Sequence, residues 1–330
     1  MPHPSETITA EQIHAWLSAR LALPAGANCV VRGPLHERDN SRVFFAECAG
    51  LPSPAAIKWC ALPRTSQPDG DSASRQFEAL HRAADAMQSD PRYAVPRPYL
   101  LDSERALIAI EWIDGKTVTA LISGWRSAAG VTHRLMADAG NWLRHFHRAH
   151  PLDDGFLDVE EKLGYLSTYD TSELVRDSVF AQGIAELKRT ADAAASISLR
   201  RSWVHGDFKT DNLIVSGQRI VGIDVQIRHE NTVVYDLAPF INDLELAMYH
   251  PAGWRLAPSR ARLITAFVDA YSEGAPGRVW LPLTWIRLYM MLSSWNSAHS
   301  RGSAGLRAAI LGHCFRSVTA RLNAQLEELS

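Results

Sequence analysis

One polar segment interrupts the otherwise helical later part of the chain, and it constrains the fold more than any other stretch. The segment runs from Trp203 to Asp224 and reads WVHGDFKTDNLIVSGQRIVGID. Its short apolar runs are separated by a polar loop and by a Ser216–Gly217 turn, a pattern typical of a strand, a loop and a β-hairpin. This arrangement predicts that Asp207, Asn212 and Asp224 meet at one end of a small ribbon.

The remainder of the chain divides into a strand-rich first part and a mostly helical second part. Thr9 and Gln12 form a capping-box pattern that predicts an opening helix. Further elements up to Gly115 are predicted from apolar periodicity and turn residues, namely strands at Asn28–Arg32, Val43–Ala49, Ala55–Leu62, Tyr99–Leu101 and Ala106–Trp112, an exposed loop at Pro63–Ser74 and a helix from about Ala73 to Met87. The helices predicted after Gly115 are Thr132–His150, Glu173–Ser196, Asp236–Tyr249, Ser259–Tyr271 and Trp280–Ser294. We therefore expect two lobes with a ligand cleft, because clefts between domains are favoured binding sites.

The polar residues of the segment suit phosphoryl transfer from ATP. That reaction needs little covalent chemistry from the protein, so catalysis consists mainly of positioning and of neutralising phosphate charge. Asp207 is the candidate that orients the acceptor hydroxyl and takes its proton. Asn212 and Asp224 are candidates for holding Mg²⁺, which prefers hard oxygen ligands. Lys209, two residues after Asp207, could neutralise the transferred phosphoryl group.

The stretch HGDFKTDN at His205–Asn212 resembles the H-G-D-x-x-x-x-N catalytic loop of aminoglycoside phosphotransferases. Related enzymes include choline, homoserine, fructosamine and methylthioribose kinases, which are distant relatives of protein kinases. Gly222–Asp224 is similar to the metal-binding segment of this family, and Tyr235–Ala238, with the sequence YDLA, to its D-L-A stretch. The resemblance implies an α+β, protein-kinase-like two-lobed fold, with ATP and Mg²⁺ as cofactors. It also implies a small-molecule hydroxyl acceptor, which could be an aminoglycoside, a sugar or saccharide, or an amino alcohol.

Matches to the same family continue upstream. Lys58, in AAIKWC, resembles the lysine that anchors ATP on the third strand, and Glu78 resembles its ion-pair partner in the following helix. Ala109–Val118 is similar to the linker between the lobes, which implies that backbone groups of Glu111 and Ile113 bind adenine. The resemblance thus implies an ATP-binding lobe at 1–111, a hinge at 112–116 and a helical lobe with the acceptor pocket at 117–330.

The loop between the first two strands has one match to the family and one departure from protein kinases. Asn40 and Ser41 stand where its members contact phosphate. Gly33 is the single glycine in GPLHERDN, where protein kinases have three, and this argues against a protein kinase. Val225–Gln226 follows Asp224 in place of Phe-Gly.

Composition limits the choice of partners and compartment. The chain has 330 residues and a formal net charge of -2, which gives no electrostatic case for nucleic acid or an anionic membrane. Neither a signal peptide nor an apolar run long enough to span a membrane is evident, so we expect a cytoplasmic protein. The cysteines Cys29, Cys48, Cys60 and Cys314 include no Cys-x-x-Cys pair, and we expect them to be buried thiols. No oligomeric state is predicted.

Several other patterns are interpreted as structural. Gly115–Thr117 looks like the end of a P-loop, but Ile110 stands where the first glycine is required. His205 is expected to fix the catalytic loop, and Asp211 and Asp236 to support it. A histidine group is interpreted as a polar helix end packed on that loop (His145, His147 and His150). An acidic run is interpreted as a solvated loop (Asp153, Asp154, Asp158, Glu160 and Glu161). Four tryptophans are interpreted as core side chains that could alternatively stack on a sugar ring (Trp254, Trp280, Trp285 and Trp295).

Two competing functions remain open. A pseudokinase would bind nucleotide without turnover, but such proteins usually lack one of Lys58, Asp207, Asn212 and Asp224, and all four are present. A metal-dependent hydrolase could use the same aspartates, but it would leave Lys58 and the linker unexplained.

Overall fold

The computed structural model describes residues 8–24, 26–63, 67–122, 129–168, 173–226, 230–251, 256, 258–273, 277, 279–301 and 305–329. Contacts divide the chain into two compact units. The first comprises Met1–Gly115 and Ser216–Gln226, and the second comprises Lys116–Val215 and Ile227–Ser330. Residues Ser216–Gln226 group with the first unit although they lie within the predicted helical lobe.

The first unit is built on an antiparallel sheet. Its elements are α1 (Ala10–Arg20), β1 (Cys29–Arg38), β2 (Ser41–Cys48), β3 (Ala55–Cys60), α2 (Gly70–Ala86), β4 (Tyr93–Ala94), β5 (Pro98–Asp102), β6 (Leu107–Glu111) and, from the later segment, β10 (Arg219–Gly222). Five of these strands form the sheet in the order β1-β2-β3-β6-β5. The remaining pair, β4 and β10, is parallel, with Ile220 opposite Tyr93.

Side-chain alternation along β3 separates the core of this unit from its polar face. Ala55, Ile57 and Trp59 are buried, and because successive side chains of a strand point to opposite faces, Lys58 lies on the other face. Helix α1 joins the same core through the residues that the sequence predicted to share one face, which are Ile13, Trp16 and Leu17. The Thr9–Gln12 capping box is confirmed, since both of its hydrogen bonds are present.

Helix α2 begins earlier than the sequence predicted. Asp69 caps it by accepting a hydrogen bond from the Ser72 backbone N–H at 2.9 Å, so the predicted loop at Pro63–Ser74 is wrong in its second half. Gly70 is required at the first position, because a Cβ atom there would lie 2.1 Å from the Ser103 carbonyl oxygen. The polar composition of this segment therefore reflects a helix cap as well as a loop.

Two of the four cysteines form a disulfide, which corrects the expectation of four thiols. Cys29 on β1 lies directly opposite Cys48 on β2, and their Cα atoms are 4.0 Å apart. Directly opposed residues of an antiparallel pair come this close, which brings the two sulfurs within bonding reach. Cys60 and Cys314 are free and buried, as expected.

The second unit is mainly helical. Its helices are α3 (Val118–Ile122), α4 (Ala129–Ala149), α5 (Val159–Ser167), α6 (Ser178–Ala195), α7 (Val234–Tyr249), α8 (Arg260–Ser272), α9 (Trp280–Ser300) and α10 (Leu306–Leu329). Its short strands are β7 (Lys116–Thr117), β8 (Arg201–Trp203), β9 (Leu213–Ser216) and β11 (Glu230–Thr232), and single 3₁₀ turns lie at Glu173–Arg176 and Thr210–Asn212. Both strand pairs, β7 with β9 and β8 with β11, are antiparallel.

Close helix packing forms the core of the second unit. A Cβ atom on Gly140 of α4 would lie 2.2 Å from the Phe267 carbonyl oxygen of α8, so the glycine allows these two helices to touch. Tryptophans of α9 also belong to this core, since Trp285 is fully buried and Trp295 nearly so. Trp254 lies outside the described residues. Among the helices that are described, none is both long and apolar enough to cross a bilayer.

Two elements of the second unit were predicted differently. The acidic run was expected to be a loop, but Asp158 caps α5 and accepts a hydrogen bond from the Glu161 backbone N–H at 2.9 Å. Glu160 and Glu161 stand in the first turn, where negative charge is favourable to the helix dipole. Helix α10 was not predicted at all.

Candidate active site

Lys58 and Asp224 form an ion pair within the first unit. Lys58 is at the centre of the sheet, opposite Val43 on β2 and Ile108 on β6. Its Nζ donates to Oδ1 of Asp224 at 2.8 Å, and the two side chains are 16% and 29% exposed. The pair is therefore partly shielded from water while still accessible to a ligand.

The backbone at Asp224 has an unusual conformation. Its φ is 58°, in the left-handed region that few residues other than glycine adopt, two residues after β10 ends. Such a conformation costs of order 1 kcal/mol or more and persists only where the surroundings hold it, often at functional sites. The turn directs the Asp224 carboxylate to Lys58, which is far away in sequence.

Glu78 is not brought to Lys58. Its side chain is 64% exposed, and its nearest charged partner is Arg82, at 3.8 Å on the same helix. Gln76 lies closer to the strand, because its amide Nε2 is 3.7 Å from the Cys60 sulfur. Burial raises the pKa of the Cys60 thiol to about 11, so this cysteine, near the Lys58–Asp224 ion pair, stays protonated.

The linker strand fixes Glu111 by both its backbone and its side chain. The Glu111 N–H donates to the Arg97 carbonyl oxygen at 2.8 Å, so any adenine contact made by this residue must use its own carbonyl oxygen. The carboxylate accepts from Arg97 N–H and pairs with Arg219 on β10, both at 3.2 Å. Ile113 follows the end of β6 in irregular backbone.

Asn40 and Ser41 lie at the turn between β1 and β2. The Asn40 carbonyl oxygen accepts from Ala61 N–H at 2.9 Å, and Ser41 stands opposite Cys60 in the sheet. Both residues are therefore beside the end of β3, shortly after Lys58. Their contact with phosphate stays a prediction.

The second unit holds Asp207, Lys209 and Asn212 in one compact loop. Lys209 Nζ donates to the Asp207 carboxylate at 2.9 and 3.2 Å. Asn212 Nδ2 donates to the Asp207 carbonyl oxygen at 2.7 Å and to its carboxylate at 3.0 Å. The Asp207 side chain remains 34% exposed, so a small hydroxyl compound can reach it.

A buried carboxylate holds the start of this loop. Asp236 of α7 accepts from the backbone N–H of His205 at 2.6 Å and of Gly206 at 3.1 Å. His147 Nε2 lies 3.0 Å from the same carboxylate, and its Nδ1 lies 3.0 Å from the Tyr271 hydroxyl. The expected supporting role of Asp236 and the packing of the His147 helix end on the loop agree with this geometry.

Two residues of the loop pack into a cluster of buried aromatic side chains. Phe208 is fully buried and stacks on Trp142 at 5.4 Å and on Phe240 at 5.1 Å between ring centroids. His205 is also fully buried and meets Phe208 edge-on. Its Nδ1 accepts from the Asp207 N–H at 3.4 Å, so His205 supports the loop by packing and by a hydrogen bond, in agreement with its predicted structural role.

Asp243 is a loop-supporting residue that sequence reasoning missed. It accepts from Thr210 N–H at 3.1 Å and from the Thr210 hydroxyl, which also lies 2.7 Å from the Thr119 hydroxyl. Burial raises the pKa of Asp243, and the hydrogen bonds from Thr210 oppose that rise. A signal was present in the sequence, because Asp243 follows Asp236 by two helical turns and so shares its face of α7.

The donor atoms of the loop fit a hard cation. Asn212 uses its N–H groups on Asp207, which leaves the amide oxygen as the atom that can bind a metal. Asp224 is a carboxylate with two oxygens, so it can bond Lys58 and also bind a cation. Within the described part of the chain, no three His, Cys, Asp or Glu side chains gather into a metal site of their own. Each of these two residues offers an oxygen donor of the kind that Mg²⁺ prefers, and their binding of the cation stays a prediction.

Comparison with solved structures identifies the fold as kinase-like, with a mixed sheet unit and a helical unit. A choline/ethanolamine kinase family protein from Mesorhizobium loti matches with a TM-score of 0.60 at 16% identity, over 95% of this chain and 99% of that chain. A thermostable mutant of an aminoglycoside phosphotransferase, in a ternary complex with AMP-PNP and hygromycin B, has a TM-score of 0.58 at 14% identity, over 95% and 99% of the two chains. A glucosamine kinase in complex with glucosamine, ADP and inorganic phosphate has a TM-score of 0.55 at 17% identity, over 92% and 81%.

The sequence itself then places the chain within a family. The profile of the phosphotransferase enzyme family matches residues 61–279, about two thirds of the chain. The chain belongs to that family and is a phosphotransferase of the small-molecule kinase type. No curated protein sequence gives a significant match.

Proposed function

We propose that the protein transfers the γ-phosphoryl group of Mg-ATP to a hydroxyl group of a small molecule, with Asp207 as the base. The observation that carries this proposal is the arrangement of the Asp207 carboxylate, which is accessible and held by both Lys209 and Asn212. In this reaction the acceptor oxygen forms a bond to phosphorus, its proton passes to Asp207, and the bond to the ADP oxygen breaks. Mg²⁺, when bound, would neutralise charge on the phosphate groups.

The remaining residues have distinct proposed tasks. Asn212 and Asp224 supply oxygen ligands for the cation, and Lys58 anchors the ATP phosphates. Lys209 neutralises the moving phosphoryl group, because its ammonium is already within hydrogen-bonding distance of the base. Asn40 and Ser41 contact phosphate, and the backbone of Glu111 and Ile113 contacts adenine. Glu78 has no role in this assignment, since its carboxylate is exposed and paired with Arg82.

The domain assignment and the acceptor follow from the same proposal. Residues 1–111 form the ATP-binding lobe, 112–116 the hinge and 117–330 the helical lobe that binds the acceptor, except that Ser216–Gln226 group with the first unit. Similar structures contain hygromycin B or glucosamine, so aminoglycosides and amino sugars are the first acceptors to test, with amino alcohols next. Use of ATP favours the cytoplasm as the site of action. The pseudokinase alternative is disfavoured, because the base, both metal ligands and the anchoring lysine are all present.

The test is acceptor-dependent release of ADP in Mg-ATP, using separate pools of aminoglycosides, sugars and amino alcohols. Release should depend on one pool and should fall about 10²- to 10⁴-fold in Asp207→Asn, the usual contribution of a general base. Asp211→Asn is the matched control, because Asp211 is an exposed carboxylate of the same loop. Equal loss in both variants, or full activity in Asp207→Asn, would contradict the role of Asp207.

A further inference from the structure

A group of charged side chains gathers around one buried carboxylate of the helical unit, among residues that have no part in the proposed reaction. Glu245 of α7 is fully buried, and both Arg287 of α9 and Arg321 of α10 donate to its Oε2. Arg260 of α8 lies on the opposite oxygen, with its Nε 3.7 Å from Oε1. Asn242 completes the group by accepting from Arg287 Nε at 3.1 Å.

This group has more positive than negative charge. Three guanidinium groups surround one carboxylate, and Arg287 itself is only 1% exposed. Burial lowers the pKa of Arg287 to about 10, and the neighbouring Arg321 acts in the same direction against Glu245. Arg287 therefore remains charged at neutral pH. The excess positive charge lies on Arg260 and Arg321, which are 28% and 24% exposed, so an anionic ligand can reach it and offset it.

A cavity of about 320 Å³ lies beside these arginine side chains. Its lining includes the charged side chains of Arg287 and Arg321 and the apolar side chains of Ile264 and Trp280. The Nε atom of Arg321 is buried and has no hydrogen-bond partner among the described residues. Gln325, also in the lining, accepts from Arg321 Nη1 at 2.8 Å and so orients the guanidinium.

We propose that this cavity binds a small organic oxyanion, a carboxylate or a phosphate that carries an apolar ring. A guanidinium presents paired N–H donors that match the two oxygens of such a group. The apolar side chains of Ile264 and Trp280 would contact the ring. Glu328 also lines the cavity, but it is exposed, so water screens its charge more than that of the fully buried Arg287.

The experiment is calorimetric titration of the full-length protein with phenyl phosphate, benzoate and inorganic phosphate at constant ionic strength. Saturating Mg-ADP is present throughout, so that the nucleotide site cannot take the probe. We expect saturable binding of phenyl phosphate or benzoate, at least about tenfold tighter than that of inorganic phosphate. The stronger of the two aromatic probes distinguishes a phosphate ligand from a carboxylate ligand.

Two variants and one control locate the site. Arg321→Gln should weaken binding at least tenfold, whereas Arg316→Gln should not, because Arg316 is an exposed arginine of the same helix that pairs with Asp177. Ala324→Phe fills the cavity from its rim without removing charge, and it should also abolish binding. This second variant decides the test if Arg321→Gln does not fold. The proposal is overturned if no aromatic probe binds saturably with Mg-ADP present, or if folded Arg321→Gln and Ala324→Phe bind as the unchanged protein does.

Discussion

Lys58 and Glu78 allow a direct test at the scale of single residues. The Lys58 ammonium is partly buried against Asp224 at 2.8 Å, whereas the Glu78 carboxylate is 64% exposed beside Arg82. We expect Lys58→Met to lower kcat/KM for ATP about 100-fold or more, the usual loss when a donor to a reacting anion is removed. Glu78→Gln should change it less than about threefold, since exposed ion pairs contribute little. Steady-state kinetics with varied ATP measures both, and a large loss in Glu78→Gln would contradict the observed pairing.

Asp236 gives a prediction about stability. Its buried carboxylate accepts two backbone N–H groups and faces His147, so Asp236→Ala leaves several buried donors without an acceptor. We expect the free energy of unfolding to fall by about 2–5 kcal/mol. Urea unfolding measures the change, and Asp211→Ala, an exposed position, should stay within about 0.5 kcal/mol of the unchanged protein. Similar losses in the two variants would show that Asp236 is not the anchor of the loop.

Residue contacts were predictable where they are local and less so where they depend on helix phase. Asp207, Lys209 and Asn212 are near one another in sequence, so their proximity follows from a short loop. Glu78 was assigned to Lys58 by its place in a family pattern. It precedes the buried Leu80 by two residues, which is a rotation of about 200° on an α-helix and puts it on the solvent side. The apolar pattern of α2 contained that information.

At the scale of elements, the hairpin formed by β1 and β2 carries the disulfide. Thiol titration of the denatured protein should find two thiols without reductant and four with it, because only Cys60 and Cys314 are free. The bond closes a separation of 19 residues, so its reduction should lower stability by roughly 2–4 kcal/mol. Four thiols in the non-reduced protein would contradict the pairing. Because disulfides are rare in the cytosol, that result would also support a reducing compartment.

A double variant checks that the effect belongs to this bond. Cys29→Ser with Cys48→Ser should make the unfolding midpoint insensitive to reductant. Cys314→Ser, which removes a buried thiol outside the hairpin, should leave the sensitivity unchanged.

Elements were predictable in proportion to the length of their pattern. The strands of the larger sheet and the helices α4 and α6–α9 follow clear apolar periods, and the structure contains them. Their ends are less well predicted, since β1 and α9 each continue six residues beyond the predicted ends at Arg32 and Ser294. The strands β4 and β7 have two residues each and carry no period. Helix α10 had a signal that was not used, since buried Cys314, Val318, Leu322 and Leu326 recur every four residues.

At the scale of the whole molecule, the sequence predicted the fold class and the family, but not the acceptor. The catalytic loop is a short, ordered motif that can be recognised in one chain. An acceptor pocket would be assembled from side chains of several helices, and these are distant in sequence and carry no shared spacing.

Nucleotide binding should change amide hydrogen exchange in both units. If Asp207 and Asn212 lie beside the same nucleotide as Lys58 and Asp224, then Mg–AMP-PNP should slow amide hydrogen exchange in residues 205–213 and also in residues 219–226. Free ligand at one hundred times its Kd stabilises the bound state by about 2.7 kcal/mol, so amides that exchange only by opening of the site should slow about 100-fold. AMP-PNP without Mg²⁺, and Asn212→Ala with it, should protect residues 205–213 much less. Protection restricted to the first unit would contradict the proposal that the catalytic loop contacts the nucleotide, while leaving the Lys58 assignment intact.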